Sequence, residues 1–157
     1  MKRNTLSLTR AALIAALYVI LTFISQMFGL ASGVIQIRLS ETLTVLPLFY
    51  KEAIPGLWIG CIIANILTGC APWDVVFGSL ATLLGAIGTY YIGRKKPILG
   101  PIFPIISNMV IVPLVLQAVY GVKESFIFLA VTVGIGEVIC CGLLGWQLYK
   151  ALKGVCE

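Results

Sequence analysis

The chain has 157 residues, of which 60% are hydrophobic and only 11% charged, and it contains no histidine. A soluble domain carries about 25% charged residues, so this composition belongs in lipid, and one domain is the prior at this length. The formal net charge of +5 needs no nucleic-acid partner, because membrane topology accounts for it.

The first element is announced by "MKRNTLSLTRAALIAALYVILTF". Its basic start imitates a secretory signal, yet no charge appears from Ala11 to Ile37 and no small-residue cleavage site follows a short apolar core. It is read as a retained membrane helix over residues 9–28. Ala11, Ala12, Ala15 and Ala16 form two overlapping small-xxx-small pairs near its start. Such a strip admits another helix closely, either from the same chain or from another membrane subunit.

Next comes "IQIRLSETLTVLP", residues 35–47, a loop leading into a short apolar helix over 39–50 with Ser40 as a plausible N-cap. At about 1.5 Å per residue this helix covers about 18 Å, short of a hydrocarbon core of about 30 Å. Five longer segments, 9–28, 53–68, 73–92, 98–120 and 125–149, have the apolarity of spanning helices. Charge decides whether the short one crosses. With six crossings and a cytoplasmic N-terminus, nine basic residues face inward (Lys2, Arg3, Arg10, Lys51, Arg94, Lys95, Lys96, Lys150 and Lys153), leaving Arg38 and Lys123 outside. Without that crossing the bias reverses to four inside and seven outside. The expectation is a single all-α membrane domain over 1–157, a six-transmembrane-helix bundle with both termini cytoplasmic, in a cell membrane.

Polar groups at membrane depth cost roughly 2.5–3.5 kcal/mol each when ionisable, so each needs a partner or a task. Glu137 sits mid-helix, with twelve uncharged residues on either side. Gly134, Cys141 and Gly145 share its helical face. It is either a carboxyl hydrogen-bonded to a neighbouring helix or a ligand group. Asn65 and Asn108 are either interhelical hydrogen bonders or substrate contacts. Asp74 follows Pro72 and Trp73 at a helix start, where N-capping is the simpler reading. Trp73 is either an interfacial anchor or a flat face for stacking a heterocycle. Arg38 and Glu41, three residues apart, can pair with each other. Against that stands convergence: Glu41, Asn65, Trp73, Asp74 and Gln117 all map to the outer half of the bundle, with Glu137 beneath. That combination suits a small-molecule pocket.

Cys61, Cys70, Cys140, Cys141 and Cys156 show no CxxC spacing and have no histidine to join them. They are read as small apolar residues, with no metal or cofactor expected. No Walker-type loop and no histidine-based triad is present, so the chain is not expected to be an enzyme or to hydrolyse ATP itself.

The stretches "RLSETLTVLPLF" (38–49), "AIPGLWIGCIIANIL" (53–67), "WDVVFGSLATLLGA" (73–86) and "TVGIGEVI" (132–139) resemble the QueT family. Those proteins are substrate-binding S components of energy-coupling factor (ECF) transporters for queuosine precursors. The similarity covers most of the chain in order; Thr42 stands where the family usually has alanine in "SEALTVLP". The resemblance implies a six-helix S component that captures a 7-deazaguanine at the extracellular face. It would dock through its alanine-rich first helix (Ala11, Ala12, Ala15, Ala16) onto a transmembrane coupling subunit carrying two cytoplasmic ATPases. It points to Arg38, Glu41, Asn65, Trp73, Asp74, Asn108 and Glu137 as substrate contacts. Glu41 or Glu137 would accept from the guanine edge, Asn65 or Asn108 would donate to O6, and Trp73 would stack. An S component for another vitamin-like molecule, or a self-sufficient permease, stays as the alternative.

Overall fold

A computed structural model describes residues 2–30 and 36–156. Ile35, and the side chains of Lys2, Arg3 and Cys156, which entered the sequence reading, lie outside the described residues. Six helical elements follow one another, with no strand among the described residues. They are α1 (Lys2–Met27), α2 (Leu39–Leu48), α3 (Ala53–Leu67), α4 (Pro72–Gly93), α5 (Ile102–Ala118) and α6, which runs from Phe126 to Cys156. A short turn, Pro97–Leu99, leads into α5. Gly29 and Gly121 close the turns after α1 and α5 with φ of +67° and +64°, a region that only glycine enters freely.

Four spans, Asn4–Met27, Pro72–Gly93, Pro97–Ala118 and Phe126–Gly154, are long and apolar enough to cross a membrane. The sequence led us to expect five such segments. α3 has only 15 residues, about 22 Å at 1.5 Å per residue, because the turn at Lys51–Glu52 and Gly69 bound it. α2 differs more. It is wound as a 3₁₀-helix of ten residues, not as an α-helix. Its threefold period puts Glu41, Thr44 and Pro47 in one row, and all three are fully buried. The expected cap at Ser40 does not form: the element starts one residue earlier, and the Ser40 hydroxyl is buried without a hydrogen bond. The backbone N–H of Leu39 instead donates to Oγ of Ser25 on α1 at 2.8 Å, which pins the start of α2.

Small residues set the helix spacing. A Cβ on Gly56 would lie 2.8 Å from the carbonyl oxygen of Ala11, and one on Gly60 would lie 2.9 Å from Cβ of Tyr18 and 3.0 Å from Cα of Ala15. α1 and α3 therefore meet backbone to backbone. On the far side, Gly85 of α4 takes Pro104 of α5 equally closely, with a Cβ position 2.7 Å from its Cα. α6 carries a π-turn over Val138–Leu144, immediately after Glu137. Such turns put an extra residue into a helix and recur at functional sites.

Candidate functional site

The polar residues flagged in the sequence gather at one end and in the middle of the bundle, in two tiers. The outer tier is a cavity of about 320 Å³, lined by Thr22, Gln36, Arg38, Asn65, Asp74 and Tyr120 with apolar walls from Val112 and Leu116. It lies where α1, α3 and α5 end and α4 begins. That size is at the lower end of the roughly 300–1,000 Å³ of small-molecule sites. A second lobe of about 270 Å³ shares Gln36 and Leu116 and adds Phe128 and Thr132 from α6. Arg38 and Gln36 also line a void of about 10 Å³ below, together with Asn108, Val112, Val133 and Glu137. The residues just before α2 thus stand between the open cavity and the buried groups beneath.

The inner tier is centred on Glu41. Its Oε1 accepts a short hydrogen bond from the Tyr18 hydroxyl, and both residues are buried, at 1% exposure for Tyr18 and 2% for Glu41. Oε2 of Glu41 is buried and has no hydrogen bond. Glu137 comes alongside from α6, where its Oε2 accepts from Sγ of Cys141 at 3.2 Å. That sulfur also lies 3.4 Å from the backbone carbonyl of Glu41, tying α6 to α2. Asn108 of α5 is buried beside both carboxylates. Glu41, Glu137 and Cys141 each bring one ligand-type atom within 4.8 Å of the others, the one grouping of that kind among the described residues. The thiol already serves as a donor to Glu137, so the set offers two carboxylates rather than three free metal ligands.

Of the residues expected at a site, Arg38, Asn65 and Asp74 line the cavity; Asn108 and Glu137 line the small void that also touches Arg38, and Glu41 is buried beside Glu137 without lining either space. Trp73 does not join them. It is 62% exposed, stacks on Phe77 at 6.1 Å, and lines a separate apolar groove of about 560 Å³ with Leu80, Ile111 and Leu114. Helix geometry explains this: with α4 starting at Pro72, successive residues turn by about 100°, so Asp74 faces in and Trp73 faces lipid. Asp74 is not the N-cap, a position held by Ala71. Its Oδ2 accepts from the Tyr120 hydroxyl at 3.0 Å, and the oxygen of that Tyr120 hydroxyl accepts from the backbone N–H of Ala71 at 3.1 Å. Gln117 is spent on the carbonyl of Glu124 at 2.8 Å and does not line the cavity.

Two groups escaped the sequence reading. Tyr18 and Tyr120 supply the aromatic hydroxyls of the two tiers. Tyr18 was legible in principle, because Tyr18, Thr22 and Ser25 sit at i, i+4 and i+7 and form a polar stripe on an apolar helix. The cysteines are also more than apolar filler. Cys141 bonds Glu137, and Cys61 accepts from Thr82 at 3.4 Å and from Asn65 at 3.6 Å.

The alanine strip divides. Ala15 is buried against Gly60 and Ala11 lies against Gly56, whereas Ala12 and Ala16 are exposed. Beyond the membrane depth, Glu52 accepts from the Ser7 hydroxyl at 2.8 Å. Its own backbone N–H and then that hydroxyl hold its carboxyl below the ordinary glutamate value.

Comparison with known proteins gives the family. A family profile described as "QueT transporter" matches residues 8–154. The chain is 40% identical over 84 residues to the queuosine precursor transporter QueT of Lactococcus lactis subsp. cremoris, an alignment covering 53% of this chain and 48% of that relative. The chain thus spans about half the length of the curated relative it matches. No solved structure matches. A set of apolar helices of this kind fits a multi-pass protein of the plasma membrane. The profile covers nearly all of the chain, and with it the chain belongs to the QueT transporter family, a family of transporters and not of enzymes.

Proposed function

We propose that the protein is the substrate-binding S component of an ECF-type importer, and that it captures a queuosine precursor, a 7-deazaguanine base, at the extracellular face. One observation carries the reading: a buried carboxylate with an unpartnered oxygen, Oε2 of Glu41, lies beneath a polar cavity at one end of the bundle. A deazaguanine presents N1–H and an exocyclic amine side by side, and a carboxylate accepts such a pair with charge-assisted bonds of about 1.5–3 kcal/mol each. Glu41 or Glu137 reads that edge, and Asn108 or Asn65 donates to O6. The name of the Lactococcus relative and the family profile support the substrate class.

In this reading both termini are cytoplasmic, and the cavity end of the bundle faces out. Ala12 and Ala16, on the exposed flank of α1, meet the transmembrane coupling subunit, which carries two cytoplasmic ATPases. Ala11 and Ala15 act one step removed, by letting α1 seat deeply on α3. The test has two halves. Purified protein in lipid nanodiscs must bind deazaguanines in preference to riboflavin, thiamine or biotin. In liposomes it must import the base only when coupling subunit and ATPases are present and ATP is supplied. Preference for another vitamin would make it an S component of different specificity. Import by the chain alone would make it a self-sufficient permease.

A further inference from the structure

The site holds more carboxyl groups than cationic partners. Asp74 lines the cavity, Glu137 lines the small void below it and Glu41 is buried beside Glu137, and Arg38 is the one cationic side chain lining either space among the described residues. The hydrogen bonds that Glu41 and Glu137 receive come from neutral groups, the Tyr18 hydroxyl and the Cys141 thiol, with the Asn108 amide beside both. Two carboxylates so close in a medium of low dielectric call for a cation or a proton between them.

The two carboxylates are not equivalent. Glu41 keeps Oε2 free of any hydrogen bond but does not line the small void. Glu137 does line it, together with Asn108, and its volume of about 10 Å³ has room for one water-sized group. An ammonium head is of that size and donates up to three hydrogen bonds. On a 7-aminomethyl-7-deazaguanine the N1–H edge, O6 and the aminomethyl arm follow one another along one side of the molecule as donor, acceptor and cation. Glu41, Asn108 and Glu137 offer acceptor, donor and acceptor, with Asn108 beside both carboxylates. A divalent metal that keeps several waters is a poorer fit, because a void of about 10 Å³ leaves no room for them.

Resting on the deazaguanine reading of the cavity, we infer that Glu137 and the water-sized void beside Asn108 form a cation subsite for a primary ammonium on the substrate's arm. The transporter thereby selects the aminomethyl base over its neutral nitrile counterpart, while Glu41 reads the edge common to both.

Equilibrium binding of the two bases to the full chain in nanodiscs tests this. The wild type should bind the aminomethyl base about 10- to 100-fold more tightly than the nitrile, the range of one charge-assisted contact. Glu137→Gln should bring the two within about threefold by weakening the aminomethyl base much more than the nitrile. A thermal midpoint in nanodiscs close to that of the wild type would show that the variant is folded. If glutamine does not fold there, Glu137→Asp, which withdraws the charge by one methylene, must narrow the preference. Equal or tighter nitrile binding by the wild type overturns the inference and leaves the deazaguanine reading standing. So does an equal loss for both bases in Glu137→Gln, or loss of the preference on adding a chelator. Failure of the wild type to bind either base overturns both readings together.

Discussion

Glu41→Gln tests the floor of the site most directly. Glutamine keeps the shape and leaves an oxygen for the Tyr18 hydroxyl, which now bonds Oε1. That orientation turns the new NH₂ to the place of Oε2, the oxygen with no partner in the protein. A guanine edge would then meet a donor where it needs an acceptor. Loss of one charge-assisted hydrogen bond is about 1.5–3 kcal/mol, which corresponds to about 10- to 100-fold in Kd. The aminomethyl and nitrile bases should suffer alike, because the edge is common to both. Equilibrium binding to wild type and variant, at matched folded fraction, gives the number. Tyr18→Phe is the companion: it removes the hydroxyl that holds the carboxylate and should weaken both bases by a smaller factor. Unchanged affinity in Glu41→Gln, or a loss confined to the aminomethyl base, would refute the assignment of Glu41 to the edge.

Four further outcomes are expected. Ala12→Trp and Ala16→Trp, on the exposed flank of α1, should leave base binding intact and lower ATP-dependent uptake by about tenfold or more, measured in proteoliposomes with the coupling module. Gly60→Ala places a methyl 2.9 Å from Cβ of Tyr18 and should lower stability by about 1–3 kcal/mol, read as a fall in thermal midpoint in nanodiscs. Trp73→Ala should change base affinity by less than about twofold, since the indole faces the apolar groove; a large loss would return it to the site. Glu52 is held below its ordinary value in the folded protein, so its contribution is present above the unfolded-state value and is lost as pH falls through the depressed one. An acid titration of stability should show that loss in the wild type and not in Glu52→Gln.

Much of this fold was legible because lipid leaves the chain few choices. Long uncharged runs between turn residues specified the four full spans, and charge asymmetry argued that the short element is a crossing. Its winding was not legible: a threefold period in ten residues differs little from an α-helical one in sequence, and the tertiary row of Glu41, Thr44 and Pro47 decided it. Buried charge was equally informative. Glu41 and Glu137 are 96 positions apart in the chain and come together in space, as the topology that set Glu137 beneath the outer polar group suggested. Trp73 misled because a tryptophan at a helix start serves lipid and ligand equally well, and one residue of phase separates the two. Ala11 and Ala12 pose the same problem of phase, which only the partner glycines on α3 resolve.

The first helix performs three tasks along one rod. Its outward flank carries Ala12 and Ala16, its inward flank is keyed to Gly56 and Gly60, and within a turn of Ala15 and Ala16 Tyr18 grips Glu41. Ala16 and Tyr18 are separated by about 3 Å along the axis at 1.5 Å per residue. No glycine or proline interrupts α1 to absorb a displacement between them. Any push or tilt applied at the alanines therefore acts within a turn of the tyrosine, with no hinge residue between. A load on the outside of this helix is mechanically a load on the carboxylate inside it.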